Sequence, residues 1–581
     1  MENKISLLLL LVLSAFFSKA QQEDAQLCLN QVGFYTNGPK LAVIMNSREG
    51  SKFFIIADGK KDTVFKGLLG AERHSAYSST ITRTADFTSV RKPGKYFLVI
   101  ENGTKSYPFR IANSVHHDAA VASLKGFYFM RSNQALDKKF AGKWARPAGH
   151  PDTVVFIHPS AATFKRPAGS VISSPGGWYD AGDYNKYVVN AGITTGTLLS
   201  AYEDFPAYFK SLNINIPESK DAIPDLLNEV LYNLRWMMTM QDPFDGGVYH
   251  KCTNAAFDGM VMPGVTKAAR YVVQKSTAAA LDLAAVCAQA SRIFVQFKKQ
   301  LPGLSDSCLR IAGKAWNWAI QYPDSLYNQR EINRKTDRDI TTGEYGDGSV
   351  KDEWLWAAAE LFVTTRKQEY YRELADRMSE PARLPSWGNV AMLGYYSVLR
   401  MRRKSPAVAE DIAHAMKDTI LRIAEAYISR SKDNAFGTVM GQSKSDFVWD
   451  SNAVAANQGI LLLNAYFLHK EKRFLEGAIS NLDYILGRNA TGYCFVTGTG
   501  SKSPMHPHHR PSVADGITEP VPGLLAGGPN PGRQDGCAYP FTETETAYVD
   551  SDCAYAANEI AINWNAPLVY LANVIEALMK E

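Results

Sequence analysis

The texture of the chain changes near Asn113, and that change limits the architectures open to it. Before it, Lys40–Met45, Lys52–Ile56, Thr63–Lys66, Tyr77–Asp86 and Gly94–Glu101 are short β-rich runs. Gly, Asn, Asp and Pro break them at intervals of about ten residues, which predicts a small antiparallel sandwich whose last strand is Tyr107–Ile111. After it, helical periods dominate to the C-terminus, about twelve of them, including 186–206, 275–299, 350–364, 407–430 and 553–579. Several, such as Ser276–Ala290 and Asp450–Ala465, are apolar on more than one face, as helices buried between neighbours are. About twelve such helices suggest six antiparallel pairs closed into an α/α toroid. The organisation expected is a processing segment over 1–20, an immunoglobulin-like β-sandwich over 21–112 and an (α/α)6 domain over 113–581, giving a mostly α chain.

Bulk properties exclude some functions. The 581 residues are 46% hydrophobic and 21% charged, the balance of an ordinary globular protein with a large core. A net charge of +5 without Lys/Arg blocks argues against nucleic acid as a partner. Lys4, the apolar run Leu7–Phe17 and the small-x-small Ser18-Lys19-Ala20 read as a secretory signal cleaved before Gln21. No later uncharged apolar run of about 18 residues follows, so an exported protein without a transmembrane segment is expected, in the periplasm, at the cell surface or in the medium. The seven cysteines are scattered and contain no C-x-x-C pair, which argues against a disulfide framework or zinc knuckle and leaves room for one bridge, Cys537 to Cys553.

Four segments carry residues suited to chemistry. Gly176–Tyr187, GGWYDAGDYNKY, sets Asp180 and Asp183 three apart on a glycine-rich turn among Trp178, Tyr179, Tyr184 and Tyr187. Carboxylates can activate water and aromatic faces can hold sugar rings, and glycoside hydrolysis needs two carboxyl groups across the scissile bond. The same turn could bond its own backbone or hold calcium. In Tyr548–Pro567, Glu559 sits among Ala556, Ala557, Ile560 and Ala561, where a carboxyl would keep its proton and act as a general acid; an exposed helix face is the plainer reading. GSKSPMHPHHRP, Gly500–Pro511, offers His506, His508, His509 and Arg510 for a metal, for sugar hydroxyls, or merely as a polar loop. In Thr342–Glu360, Trp354 and Trp356 are sugar platforms or core, and Asp352 and Glu353 cap a helix, bind an ion or catalyse. The 65-residue stretch Arg488–Asp552, rich in Gly, Pro, Ser and His with little periodicity, has the length of a functional or a disordered segment.

Together these segments resemble glycoside hydrolase family 9, the inverting endo-β-1,4-glucanases, in its bacterial form with an N-terminal immunoglobulin-like domain. The resemblance rests on GGWYDAGDYNKYV, Ile223–Lys251, TGEYGDGSVKDEWLWAAAELF, Phe447–Leu463, SKSPMHPHHR and the Y-x-D-x4-Y-x2-N-E signature of Tyr548–Pro567. It implies Asp183 as general base, Asp180 as its helper at the water, and Glu559 as general acid. It also implies His508 and Arg510 at the sugar, Asp550 in support of the acid's segment, and Trp356 and Trp387 as stacking aromatics. Relatives with this sandwich often hold zinc through Cys and His ligands near the base turn. Here no Cys lies between Cys28 and Cys252, and Tyr179 replaces the His of W-H-D-A-G-D, so zinc is disfavoured. Structural calcium occurs in the family, with ligands not assignable from this sequence, and no cofactor is required.

The expected activity is therefore endohydrolysis of β-1,4-glucan by a monomer, with inversion. A xyloglucanase or mixed-linkage glucanase is the next reading, followed by an exo-acting glucosidase or glucosaminidase. A non-catalytic glycan-binding protein on the same scaffold is the rival from another class.

Overall fold

The computed structural model describes residues 26–46, 50–59, 62–378, 382–404 and 409–580. The expected signal segment, its cleavage before Gln21 and the first residues of the helix expected over 407–430 lie outside the described residues.

Nine strands form the N-terminal sandwich: β1 Gln26–Leu29, β2 Gly33–Tyr35, β3 Leu41–Met45, β4 Lys52–Ala57, β5 Thr63–Leu68, β6 Arg73–His74, β7 Ile81–Asp86, β8 Gly94–Ile100 and β9 Phe109–Ala112. They pair as β1-β3-β7-β6 and β2-β9-β8-β4-β5. Alternation sets the register: Phe53 and Ile55 of β4 and Tyr96, Leu98 and Ile100 of β8 all point into the core between the sheets. β3 departs from alternation. Its Val43 and Met45 are also buried, because with Cys28 they pack on Ala435 and Phe436 of the helical domain. Polar bonds add to this seam, among them Asn30 Nδ2 to Asp483 (2.7 Å) and the Tyr35 hydroxyl to Glu576 (2.7 Å).

Six helices, Val188–Asp204, Thr277–Phe294, Lys351–Thr365, Ala391–Lys404, Ser451–His469 and Ile562–Lys580, form an inner ring buried on nearly every face. Each carries an outer partner: Asp225–Thr239, Leu304–Gln321, Gln368–Asp376, Glu410–Ser431, Lys472–Ile485 and His117–Met130, respectively. This is the (α/α)6 toroid. Thr277–Phe297 is long and apolar enough to cross a membrane, but its most apolar 18-residue window is 89% buried within the protein as part of the inner ring. At the C-terminal end of Val188–Asp204, Arg292 pairs with Glu203 (2.7 Å) and with Glu360, and Arg400 with Asp204 (2.7 Å), tying four inner helices together. Removing one partner from such a buried set costs about 3–5 kcal/mol.

Three features differ from expectation. The irregular stretch after residue 133 contributes to a five-stranded sheet, β11-β10-β14-β13-β12, built from β10 Val155–Ile157, β11 Val171–Ile172, β12 Lys186–Tyr187, β13 Lys251–Asn254 and β14 Arg270–Val272. Its strands are too short and too scattered to show a period of two. The helix expected over 553–579 is broken: Tyr555–Asn558 is one turn, Glu559 is extended (φ −70°, ψ 159°), and the helix proper is Ile562–Lys580. The backbone groups between are taken elsewhere, Glu559 C=O by Gly527 N–H (2.9 Å) and Ile562 N–H by Asp180 C=O (2.8 Å). Trp356 is fully buried in the ring, with Gly196 so close that a Cβ there would meet its indole at 2.5 Å. It cannot carry a sugar. Cys537 and Cys553 form a disulfide, and the five remaining cysteines are buried.

Candidate active site

A cleft of about 560 Å³ opens at the N-terminal end of the inner ring. Its lining comes from segments just ahead of the inner helices: Asp180 and Asp183 before Val188, Tyr345 before Lys351, Trp387 before Ala391, Trp449 before Ser451 and Glu559 before Ile562. The helix macrodipoles thus place their positive ends towards the carboxylates.

The base turn and the histidine segment are held in contact by a missing side chain. A Cβ on Gly182 would lie 2.2 Å from the His508 carbonyl oxygen. The Gly182 carbonyl instead accepts hydrogen bonds from the Arg510 N–H (3.2 Å) and Nη1 (2.7 Å). Gly177, at φ +82°, likewise lets the turn lie on the Trp236 ring, 2.7 Å from where a Cβ would be. The extended Glu559 pairs in parallel with His508, which brings the third carboxyl to the same floor.

The three carboxyl groups have unlike surroundings. Asp183, 5% exposed, accepts from Asn185 Nδ2 (2.6 Å) and the Tyr187 hydroxyl (3.2 Å). Asp180, 1% exposed, accepts from Asn190 Nδ2 (3.0 and 3.1 Å) and the Tyr345 hydroxyl (2.9 Å). Burial, and then the Asp183 charge, push Asp180 well above the carboxylate range. Glu559 is pushed up to about 8 by burial and by the charges of Asp183 and Asp180, against the opposing pull of Arg510. The site therefore has two carboxyls equipped with donors, Asp183 and Asp180, and a third, Glu559, raised so that it keeps its proton at neutral pH.

The remaining expected residues divide. Trp387 lines the cleft and meets Tyr345 edge-on at 5.4 Å. His508 Nδ1 donates to the Asp552 carbonyl (2.6 Å), which fixes the ring beside Tyr555 and lowers nothing of Nε2's capacity to accept; burial depresses its pKa, so the neutral form is favoured. Arg510 braces the turn and also donates from Nε to the Asp258 carbonyl (3.0 Å). Asp550 does not line the cleft: its oxygens accept from the amides of Met505 (2.7 Å) and His506 (2.8 Å) and from Asn558 Nδ2 (3.1 Å), so it braces the segments that present His508 and Glu559. Tyr345, Asn190, Trp449 and Trp564 escaped sequence reasoning as site residues. Tyr345 adopts φ +48°, a left-handed conformation rare for a tyrosine, and it lies within GEYGD, where the flanking glycines were the available signal.

The residues around Tyr179 do not fit zinc. The Tyr179 hydroxyl is bonded to His150 Nδ1 (2.9 Å), and His150 Nε2 faces Asp258 at 3.6 Å. A different cluster offers oxygen. Asp347, Asp352 and Glu353 place carboxylate oxygens within 4.8 Å of one another, and Asp282 joins them electrostatically. Asp282 and Glu353 are buried, and none of their four oxygens accepts from an N–H or hydroxyl donor. An all-carboxylate donor set short of partners suits a hard cation such as calcium.

Comparison with known proteins identifies the family. A family model for glycosyl hydrolase family 9 matches residues 116–572, and one for the cellulase N-terminal ig-like domain matches 22–105. A xyloglucan-specific endo-beta-1,4-glucanase of Bacteroides ovatus, BoGH9A, is 46% identical over 551 residues, 95% of this chain and 93% of the relative. Endoglucanase D of Acetivibrio thermocellus is 32% identical over 96% of this chain and 84% of its own length. Among solved structures, a Bacteroides ovatus GH9 protein superposes with a TM-score of 0.90 at 45% identity, covering 95% of this chain and 99% of that one.

Proposed function

Because the chain belongs to glycosyl hydrolase family 9, and is thus a glycoside hydrolase, we propose that it cleaves internal β-1,4-glucosidic bonds of xyloglucan, with Glu559 as acid and Asp183 as base. The observation that carries this reading is the contrast in one open aromatic cleft between Glu559, whose carboxyl holds its proton up to about pH 8, and Asp183, whose carboxylate is supplied with donors. Xyloglucan moves ahead of plain cellulose on the 46% identical relative, which is specific for it.

In the proposed reaction the Glu559 carboxyl gives its proton to the glycosidic oxygen as the bond to the anomeric carbon breaks. A water on the opposite face attacks that carbon while Asp183 accepts its proton. Asp180, held by Asn190 Nδ2 and the Tyr345 hydroxyl, positions the water by a hydrogen bond. One water is consumed, no covalent intermediate forms and the configuration inverts. Neutral His508 accepts from a sugar hydroxyl, and Trp387 offers a ring face.

Asp282, Asp347, Asp352 and Glu353 are read as the ligands of a structural calcium ion, which would neutralise carboxylates that otherwise repel. An exported monomer is the accompanying reading. Lys4, Leu7–Phe17 and Ser18-Lys19-Ala20 support export, as does the Cys537–Cys553 disulfide, a bond of oxidising compartments.

Product analysis on xyloglucan, barley glucan, carboxymethylcellulose and cello-oligosaccharides tests the substrate reading. Rapid loss of xyloglucan viscosity, with the α anomer appearing first by NMR, is expected. Release of the β anomer first would sink inversion, and faster turnover of cello-oligosaccharides than of xyloglucan would sink the substrate assignment.

A further inference from the structure

A second cavity lies where the sandwich meets the toroid. It encloses about 490 Å³, close to the size of the catalytic cleft and within the range of ligand sites. Ser79 and Thr80 of the sandwich form one wall; Tyr493, Phe541, Thr546 and Tyr548 of the long loop form the other.

The charges on its walls are already engaged. Lys502 Nζ donates to the Thr491 carbonyl (2.9 Å) and rests over the Tyr493 ring at 4.1 Å. Glu543 accepts from the Ser79 amide (2.9 Å) and hydroxyl (3.1 Å), which closes the seam between the domains. Asp550 is taken by the Met505 and His506 amides. An ionic ligand would have to break these internal pairs. What remains for a ligand is the Phe541 ring, 56% exposed, beside the hydroxyl of Tyr493 and the side-chain amide of Gln26. A flat apolar face beside neutral hydrogen-bonding groups is complementary to a sugar, whose C–H faces are apolar and whose rim is hydroxyl.

The wall is also continuous with the catalytic floor. Tyr548 abuts Tyr493 with ring centroids 5.1 Å apart, and its hydroxyl donates to Asn558 Oδ1 (2.6 Å), the residue before Glu559. We propose that the seam cavity is a second glucan-binding site, which holds a short stretch of neutral β-glucan while the cleft acts on another. The occupant rests on the reading of the enzyme as a β-glucan hydrolase.

The test uses full-length Glu559→Gln protein, which preserves ligand, titrated with cellotetraose and with xyloglucan oligosaccharides by calorimetry. Two sites per chain are expected. Adding Phe541→Ala should weaken one of them about fivefold and leave the other unchanged. In the active enzyme, Phe541→Ala should keep kcat on cellotetraose, which reports an intact fold, and raise KM on polymeric xyloglucan severalfold. Thr80→Trp, which fills the cavity from the other wall, should do the same. One binding site, or identical titrations with and without Phe541→Ala, would overturn the proposal while wild-type hydrolysis stands. Failure of the wild-type enzyme to cut any β-1,4-glucan would instead remove the reading beneath it.

Discussion

Two groups of carboxyls sit in the same helical ring and are prepared in opposite ways. At the cleft, each Asp has its own donors: Asn190 and Tyr345 for Asp180, Asn185 and Tyr187 for Asp183. At the first turn of Lys351–Thr365, Asp347, Asp352 and Glu353 crowd together, and the buried oxygens of Glu353 and of nearby Asp282 lack such donors. Asp180 in the first group and Asp282 and Glu353 in the second are all raised by burial and by their neighbours' charges. The difference lies in what completes them. Donors on the protein let the first group tolerate charge and face an open cleft. The second is complete only with a cation or with protons. Acidity in the sequence says little until the partners are known.

The largest effect should come from breaking the cleft group. Glu559→Gln keeps the shape and removes the transferable proton, and Asp183→Asn removes the base. Each should lower kcat by about 10²–10⁴-fold, the typical worth of a positioned acid or base, with substrate binding retained. Wild-type kcat should fall as pH rises through about 8, where Glu559 loses its proton. Steady-state kinetics with calorimetric binding checks both. Glu559→Gln activity near wild type would reassign the acid.

The second effect breaks the other group. At a hundredfold excess over its dissociation constant, calcium should add about 2.7 kcal/mol of stability. Chelated protein should melt several degrees lower. The pH dependence gives the comparison its sign. The folded-state pKa values of Asp282 and Glu353 are raised, so the folded protein keeps protons that the unfolded chain has released. The stability from these groups is then present below the ordinary carboxylate pKa and is lost as pH rises towards the raised values. Melting of the chelated protein should fall from pH 5 to 8, and calcium should remove most of that slope. Equal slopes with and without calcium would reject the cation site.

Much of this was legible before the fold. Helices announced themselves by long apolar periods, and Asp183 and Glu559 by motifs of several fixed positions each. What escaped were features made by distant segments. The small sheet joins strands as far apart as Val155–Ile157 and Arg270–Val272, none with enough residues to show alternation. The break at Glu559 depends on the Gly527 amide taking the Glu559 carbonyl and the Asp180 carbonyl taking the Ile562 amide, which no local propensity records. Trp356 and Trp387 look alike as isolated letters. One lies six residues into an inner helix and is sealed in the ring, while the other precedes a helix and opens on the cleft. Position relative to the helix start, more than residue type, decides which aromatic a sugar can reach.

The smallest effect sharpens the comparison by making one group resemble the other. Tyr345→Phe removes the hydroxyl that donates to Asp180 at 2.9 Å and leaves the ring packed between Tyr187 and Trp387. A buried carboxyl would then have lost one of its donors, a step towards Glu353 and Asp282, whose buried oxygens have none. A hydrogen bond to a charged group contributes about 1.5–3 kcal/mol, and part of it is lost here because Asn190 still donates, so a kcat decrease of about tenfold is expected. Losing a donor favours the protonated form of Asp180, so activity should recover partly as pH rises, until Glu559 in turn deprotonates. A merely structural tyrosine would lower kcat equally at every pH. The Tyr345→Phe pH profile, measured against wild type, therefore separates electrostatic preparation of the cleft from simple packing.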